Sequence, residues 1–401
     1  SEESEEMNIL FIGYHQQFFY QAKLLVDAGH NAYIATGVGT GTLDEYSLSI
    51  GAVGVIKEPL PAVEWTVENC TWITDAITAH SITHVINGLP WVSFIGGMMP
   101  AGVVYLGPTA AANELETNKF ATRAAVSALG LQTSPVLLEG SSANIATDLT
   151  TCTERPIVVK PKTVFQNAII LQAGEEAALT SRLGGEDAYD YYFERFIPNL
   201  VTEGYAYFVI ANGQWAITST GSVGGEAATK GVIPAVTSWM GHTTTAPLSS
   251  DDDTAVRAFA GTFLDMAKTK GGNYEGELYV GIDNAGLVHW IEVSSRPSSP
   301  NVAPTFCSAA EYIQSLTSDP SIIASAWPAN FKYTDLVAAQ AYGSVYPYDL
   351  HATHSVPKPV GLTKVGTTYY LNHAGLRLFS EGDLPSGFVT AINASGTCTI
   401  S

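Results

Sequence analysis

The stretch Glu275–Pro300, EGELYVGIDNAGLVHWIEVSSRPSSP, limits what this chain can be more than any other. Leu278–Ile282 is a short apolar run, Asp283–Gly286 a turn cluster and Leu287–Val293 a second apolar run, so the segment predicts a β-hairpin. The second strand ends in Glu292, Ser294 and Arg296, and the two-residue period of a strand sends all three to one face. A carboxylate beside another oxygen ligand can hold Mg²⁺ against phosphates, and a nearby guanidinium can neutralise a phosphoryl group in transfer. A solvated strand face would carry the same residues, so the rest of the chain has to decide.

Upstream, the apolar run Asn8–Gly13, a helical pattern through Phe18, Ala22 and Leu25, and a second run Asn31–Ala35 give βαβ, the opening of a doubly wound parallel sheet. Ile82–Ile86 and Val103–Leu106 read as later strands of that sheet. Ligands bind such sheets at the carboxyl ends of the strands, here near Gly13–Gln17 and Asn87–Trp91. No GxGxxG follows the first strand, which argues against a dinucleotide site. Ala110–Leu129 reads as one long helix. In Arg155–Lys162 (RPIVVKPK), a buried-type strand carries Lys160 toward its end, and the pattern predicts that this lysine points into a cleft. Tyr191–Phe196 reads as a strand carrying Glu194, and Glu203 precedes another strand, Tyr205–Ile210, that turns at Asn212-Gly213 into Trp215–Thr220. Asp251–Lys268 is an amphipathic helix opened by aspartates that suit its dipole, residues 308–327 read as helical, and after Pro328 the pattern is all short strands and turns.

Composition excludes several functions. The 401 residues allow two or three domains. With 18 Lys+Arg against 38 Asp+Glu the net charge is −20, a surface that repels nucleic acid and anionic lipid. No apolar run approaches the ~20 residues of a membrane span. The four cysteines are scattered without CxxC pairing, so a reducing, cytoplasmic setting is expected and a metal or disulfide framework is not. Ser1–Glu6 is an acidic leader set aside from the fold, and Met7 reads as a native start.

Taken in order, a Gly-Pro-Thr turn, a helix with Lys119, a strand with Lys160, a strand with Glu194 and the hairpin with Glu292 and Arg296 resemble the ATP-grasp ligases, and most of all the phosphoribosylamine–glycine ligases of early purine synthesis. YLGPTAAANELETNKFATRAAVSALGLQTSP, ERPIVVKPK, YYFERF, WMGHTTTAPLS and YLNHAG are each similar to a stretch of that family, collinearly over nearly the whole chain. The resemblance implies three domains: an N-terminal α/β substrate domain over 7–108, an ATP-grasp domain over 109–328 with a lid at about 133–200, and a small β-barrel-like domain over 329–401. It implies ATP with Mg²⁺ (or Mn²⁺). Lys119 and Lys160 would contact phosphates, the Glu194–Arg195–Phe196 backbone the adenine edge, and Glu203 the ribose. Glu292 and Ser294 would ligate metal, and Arg296, with Lys160, would act in the acyl-phosphate transition state. Tyr14, His15, Gln17, Gly88, Trp91 and His242 would face the substrate. The activity implied is ADP-forming ligation of a small carboxylate, glycine or a similar amino acid, to an amine, by a monomer or homodimer.

The departures from that family are specific. Ser294 stands where the family usually has Asn. Thr163–Asn167 is a lid without glycine, and Pro297–Pro300 lacks the family's Asp. Tyr14–Gln17 and Gly88–Trp91 replace the turns that build the sugar-phosphate pocket, which implies an altered, less anionic amine acceptor. They also leave room for a non-catalytic nucleotide- or metabolite-binding protein on the same fold.

Overall fold

A computed structural model describes residues 5–13, 18–36, 51–56, 64–163, 168–185, 188–223, 245–246, 248–297 and 307–326, and the backbone of six short strands beyond residue 336. Strands β1 (Asn8–Ile12), β2 (Asn31–Thr36), β3 (Val53–Ile56), β4 (His84–Asn87) and β5 (Val104–Leu106) form a parallel sheet in the order β3-β2-β1-β4-β5. Both faces are covered, which is why its strands are apolar almost throughout. Ile9 and Phe11 pack with Ala22 and Leu25 of α1 (Phe19–Asp27), while Leu10 and Ile12 pack with Trp72, Ile73 and Ile77 of α2 (Thr71–His80). The strand order reverses beside β1, so a crevice lies outside the carboxyl ends of β1 and β4.

The expected helix over Ala110–Leu129 is two, α3 (Ala110–Thr117) and α4 (Lys119–Ala128). Asn118 leaves the helical region (φ −103°, ψ 73°), and its side chain accepts from the backbone N–H of Ala121 at 3.1 Å. An asparagine that caps a new helix ends the old one, and the break makes Lys119 the first residue of α4.

A four-stranded sheet follows, in the order β6-β9-β7-β8: β6 (Val136–Ser141), β7 (Ile157–Pro161), β8 (Ile169–Leu171) and β9 (Asp190–Arg195). It has its own core of Ile157, Val159, Leu171, Tyr191 and Phe193, closed by Leu149 and Leu179 from the helices α5 (Ile145–Thr151) and α6 (Glu176–Leu183).

The central sheet is antiparallel, in the order β12-β11-β10-β13-β14: β10 (Leu200–Ala211), β11 (Gln214–Val223), β12 (Thr245–Ala246), β13 (Tyr274–Asp283) and β14 (Val288–Ser294). Asn212 and Gly213 both have positive φ (52° and 70°), the backbone a two-residue hairpin needs. One face, with Phe208, Leu278, Val280 and Trp290, packs on Phe259, Phe263 and Leu264 of α7 (Ser250–Ala267). Ser249 caps that helix by accepting from Asp252 N–H.

The expected single helix over 308–327 is α8 (Ala309–Thr317) and α9 (Ser321–Ala326), separated at Pro320, which has no N–H to continue the ladder. Tyr312 and Leu316 of α8 join Ile9 and Phe11 of β1 to Val209 and Ala211 of β10 in one core. Beyond residue 336 the described backbone is strands: β15 (Val337–Ala339) pairs with β16 (Ser344–Tyr346), and β17 (Val360–Val365), β18 (Thr368–Leu371), β19 (Phe379–Ser380) and β20 (Cys398–Ile400) form one sheet in the order β19-β18-β17-β20.

Candidate active site

The face of the central sheet turned away from α7 carries a set of carboxyl, phenol and hydroxyl side chains. Register places Tyr207, Glu277 and Ser294 in one cross-strand row and Tyr205, Tyr279 and Glu292 in the next. A third row holds Glu203, Gly281 and His289. A Cβ on Gly221, opposite Tyr205, would run into the Tyr205 ring, so glycine there makes room for the phenol. The register slips between Tyr279 and Val280, leaving Ile291 as the extra residue of a bulge. A bulge turns local backbone groups out of the ladder, and the Ile291 carbonyl accepts from Lys160 Nζ at 2.9 Å.

Lys160 stays within β7 rather than leaving it: it is 3% exposed, and its ammonium lies 3.1 Å from Glu194 Oε1 as well as against Ile291 O. Glu194, equally buried, has Arg123 Nε of α4 at 3.3 Å from its other oxygen. The lysine therefore links the small sheet to the bulge, and what the sequence pattern missed is the carboxylate that draws it inward. Lys119 reaches across from α4 to Glu292, Nζ–Oε2 3.1 Å. Burial first, and then the negative charge of Glu194 and Glu292, push the neighbouring Tyr192 phenol up, with Arg123 opposing.

Arg296 lies past the end of β14, so strand alternation does not set its direction. Its Nη2 is 2.9 Å from Oε1 of Glu116 on α3, whose Oε2 accepts from the Ser295 N–H (3.0 Å) and hydroxyl (3.2 Å). Ser295 Oγ also lies 3.1 Å from the Asn113 amide. One hydroxyl has one proton, so Ser295 donates to either Glu116 or the Asn113 carbonyl oxygen at a time.

Of the other residues singled out from sequence, Glu203 lies inside β10 rather than before it, half-buried. Arg195 is exposed and paired with Glu154 (2.7 and 3.0 Å), its backbone N–H donates to Pro135, and β9 ends there, one residue before Phe196. Gly88 follows β4 and donates to the carbonyl of Ile12, and Trp91 packs against the core of the parallel sheet. Tyr14, His15, Gln17 and His242 lie outside the described residues, as does most of the stretch 163–167.

Glu277 is the residue sequence reading missed. It is fully buried, accepts from the Tyr279 hydroxyl and stands opposite Ser294. The alternation that identified Glu292 identifies it too, once the first strand of the hairpin is extended one residue upstream of Leu278. Among the described residues no group of three or more His, Cys, Asp and Glu side chains is arranged to hold a metal. Mg²⁺ asks less of a protein, one or two carboxylates completed by phosphates and water. Glu277 and Glu292 with the Ser294 hydroxyl fit that demand, and equally an Mn²⁺ ion.

No family model matches the chain. No curated protein sequence matches it significantly. Solved structures do. An N5-carboxyaminoimidazole ribonucleotide synthetase in its ADP complex aligns with TM-score 0.58 at 11% identity, over 84% of this chain and 83% of that one. An L-amino acid ligase from Bacillus licheniformis aligns with TM-score 0.58 at 15% identity, over 83% and 80%. The biotin carboxylase domain of the Hydrogenobacter thermophilus 2-oxoglutarate carboxylase, in complex with MgADP, ADP and bicarbonate, aligns with TM-score 0.53 at 14% identity, over 72% and 64%. At such identities the likeness bears on architecture and does not single out a phosphoribosylamine–glycine ligase. The parallel sheet, the small four-stranded sheet and the central antiparallel sheet make this chain a protein of ATP-grasp architecture.

Proposed function

We propose that the chain is an ATP-dependent, ADP-forming ligase that joins a small carboxylate to an amine. The observation that carries this reading is the convergence of Glu277, Glu292 and Ser294 on one sheet face with Lys119, which lies 3.1 Å from Glu292. The overall reaction breaks the bond from the γ-phosphorus to ADP, forms a carboxylate–phosphate anhydride, and replaces phosphate at the acyl carbon by the amine nitrogen, which gives up a proton. The residues act by charge and position. Lys119 and Lys160 oppose phosphate charge, and Arg296, held by Glu116, presents its guanidinium beyond the end of β14. Mg²⁺ bound by Glu277, Glu292 and Ser294 would supply a divalent charge between the phosphates. Phe196 and Glu203 are assigned to the base and ribose.

Glycine or another small amino acid is the proposed carboxylate. The turn Gly88-Leu-Pro-Trp91 offers no lysine or arginine, which favours an acceptor less anionic than phosphoribosylamine. A cytoplasmic setting is proposed from the scattered cysteines, and no described helix is long and apolar enough to cross a membrane.

One observation favours a second reading. Lys119, Lys160 and Arg296 each have a carboxylate within 3.1 Å, so their charge is already compensated, as a non-catalytic binding protein would tolerate. ADP release separates the two. With glycine and a panel of amines, amine-dependent ADP formation supports the ligase, and nucleotide binding without any turnover supports the binding protein.

A further inference from the structure

The two carboxylates assigned to the metal are met by different elements. Glu292 is met by Lys119 from α4. Glu277 is met from its own strand, by the Tyr279 hydroxyl, which donates to its Oε2. Residues i and i+2 of a strand stand on one face with their Cα atoms about 7 Å apart, so a phenol can reach back along β13 to a glutamate. Glu277 is fully buried and Tyr279 half-buried.

Tyr279 is itself held. Tyr205 and Tyr207 of β10, the cross-strand neighbours of Tyr279 and Glu277, are buried, with ring centroids 4.6 Å apart and planes tilted by 53°. Tyr279 packs against this pair. Gly221 of β11 leaves the room that the Tyr205 ring occupies. Residues on three strands therefore decide where the Tyr279 hydroxyl stands.

The hydrogen bond occupies one of the roughly four lone-pair sites of a carboxylate. Glu277 can thus hold the phenol and a cation together, whatever else touches it. What the phenol removes is freedom: it fixes the rotation of the carboxyl group and engages Oε2, so that a cation is met by one oxygen and not by a bidentate pair. Mg²⁺ depends on such placement, since it demands near-octahedral ligands at about 2.0–2.1 Å, whereas Ca²⁺ accepts more oxygens, bidentate carboxylates among them, in a looser arrangement.

We propose that Tyr279 is a positioning residue for the metal: its hydroxyl holds Glu277 as a one-oxygen ligand and so selects Mg²⁺ over Ca²⁺. This rests on the assignment of Glu277 to Mg²⁺ in the ligase reading, and it names the device that gives that site its cation preference. Tyr279 acts through Glu277 and not on the nucleotide. Hydrogen-bond partners that stand behind a metal ligand are typically worth about 10–100-fold in metal affinity.

The test is calorimetric titration of ADP into the full chain with Mg²⁺, with Ca²⁺ and with EDTA. It compares the wild type with Tyr279→Phe, which keeps the ring against Tyr205 and Tyr207. In the wild type, binding supported by Mg²⁺ is expected to be at least about tenfold tighter than binding supported by Ca²⁺. Tyr279→Phe is expected to weaken the Mg²⁺-supported binding about tenfold, to leave the affinity in EDTA unchanged, and to narrow the gap between the two cations. An equal loss with Mg²⁺ and with EDTA would place the phenol on the nucleotide itself and overturn the proposal. Should Tyr279→Phe fail to fold, the wild-type comparison of Mg²⁺ with Ca²⁺ decides alone, and equal affinities overturn it. Wild-type binding that is the same with Mg²⁺ and EDTA removes the metal assignment together with this inference. Metal-dependent binding that Tyr279→Phe leaves intact removes the inference and keeps the ligase reading.

Discussion

Arg296 is held in place from 180 residues away, by a carboxylate on α3 that grips both its guanidinium and the Ser295 backbone before it. Removing one partner of a buried charge pair costs about 3–5 kcal/mol, because the other charge stays behind. Glu116→Gln keeps an acceptor but not the charge. It is expected to cost about 1–3 kcal/mol in urea unfolding and to lower amine-dependent ADP formation more than it lowers nucleotide affinity. Ser294 supports a different prediction. An amide carbonyl is a better oxygen ligand than a neutral hydroxyl, so Ser294→Asn should strengthen Mg²⁺-dependent nucleotide binding, and weaker binding in a titration would show that Ser294 does not face the metal. A third concerns acid stability. The hydrogen bond from His289 holds the Asp283 carboxyl below its ordinary value, with help from the Leu287 and Ala285 N–H groups against a smaller opposing effect of burial. A depressed carboxyl adds stability that is present above its unfolded pKa, about 3.9, and is lost as pH falls through the folded value. Replacing His289 by Asn should therefore flatten the loss of stability below about pH 4, as read from acid-unfolding curves.

Among the elements, the break at Asn118 matters most for the site, since it starts α4 at Lys119. Asn118→Ala should cost about 1 kcal/mol, and it should weaken nucleotide binding further by loosening Lys119; unchanged affinity in a variant of reduced Tm would confine Asn118 to a structural role. That break was not legible in the sequence, because Glu114, Leu115 and Glu116 before it and Lys119, Ala121 and Arg123 after it carry helical propensity straight through it, and a cap is decided by backbone geometry. The β13–β14 hairpin was legible, since two apolar runs around Asp-Asn-Ala-Gly leave little else. Its bulge at Ile291 was not, although the bulge is what offers Lys160 a carbonyl. The pattern reads Lys160 as pointing into a cleft, and nothing near it in the chain shows that Glu194 and Ile291 lie within 3.1 Å. Glu277 needed only the strand register. Glu116 needed the tertiary fold.

Over the whole molecule, a net charge of −20 has to be reconciled with the proposed binding of a polyphosphate. The described cations are compensated locally: Lys119 pairs with Glu292, Lys160 and Arg123 with Glu194, and Arg296 with Glu116. On the proposed reading, Lys119 would exchange Glu292 for phosphate and leave that carboxylate to hold Mg²⁺. The measurement that tests this account most directly is a calorimetric titration of ADP into the protein with Mg²⁺ and with EDTA, for the wild type and for Glu292→Gln. Saturable binding that weakens at least about tenfold on chelation (about 1.4 kcal/mol), with Glu292→Gln losing that metal dependence, is the predicted result. No binding at millimolar ADP, or the same affinity with EDTA as with Mg²⁺, would contradict it and leave the architecture without the activity.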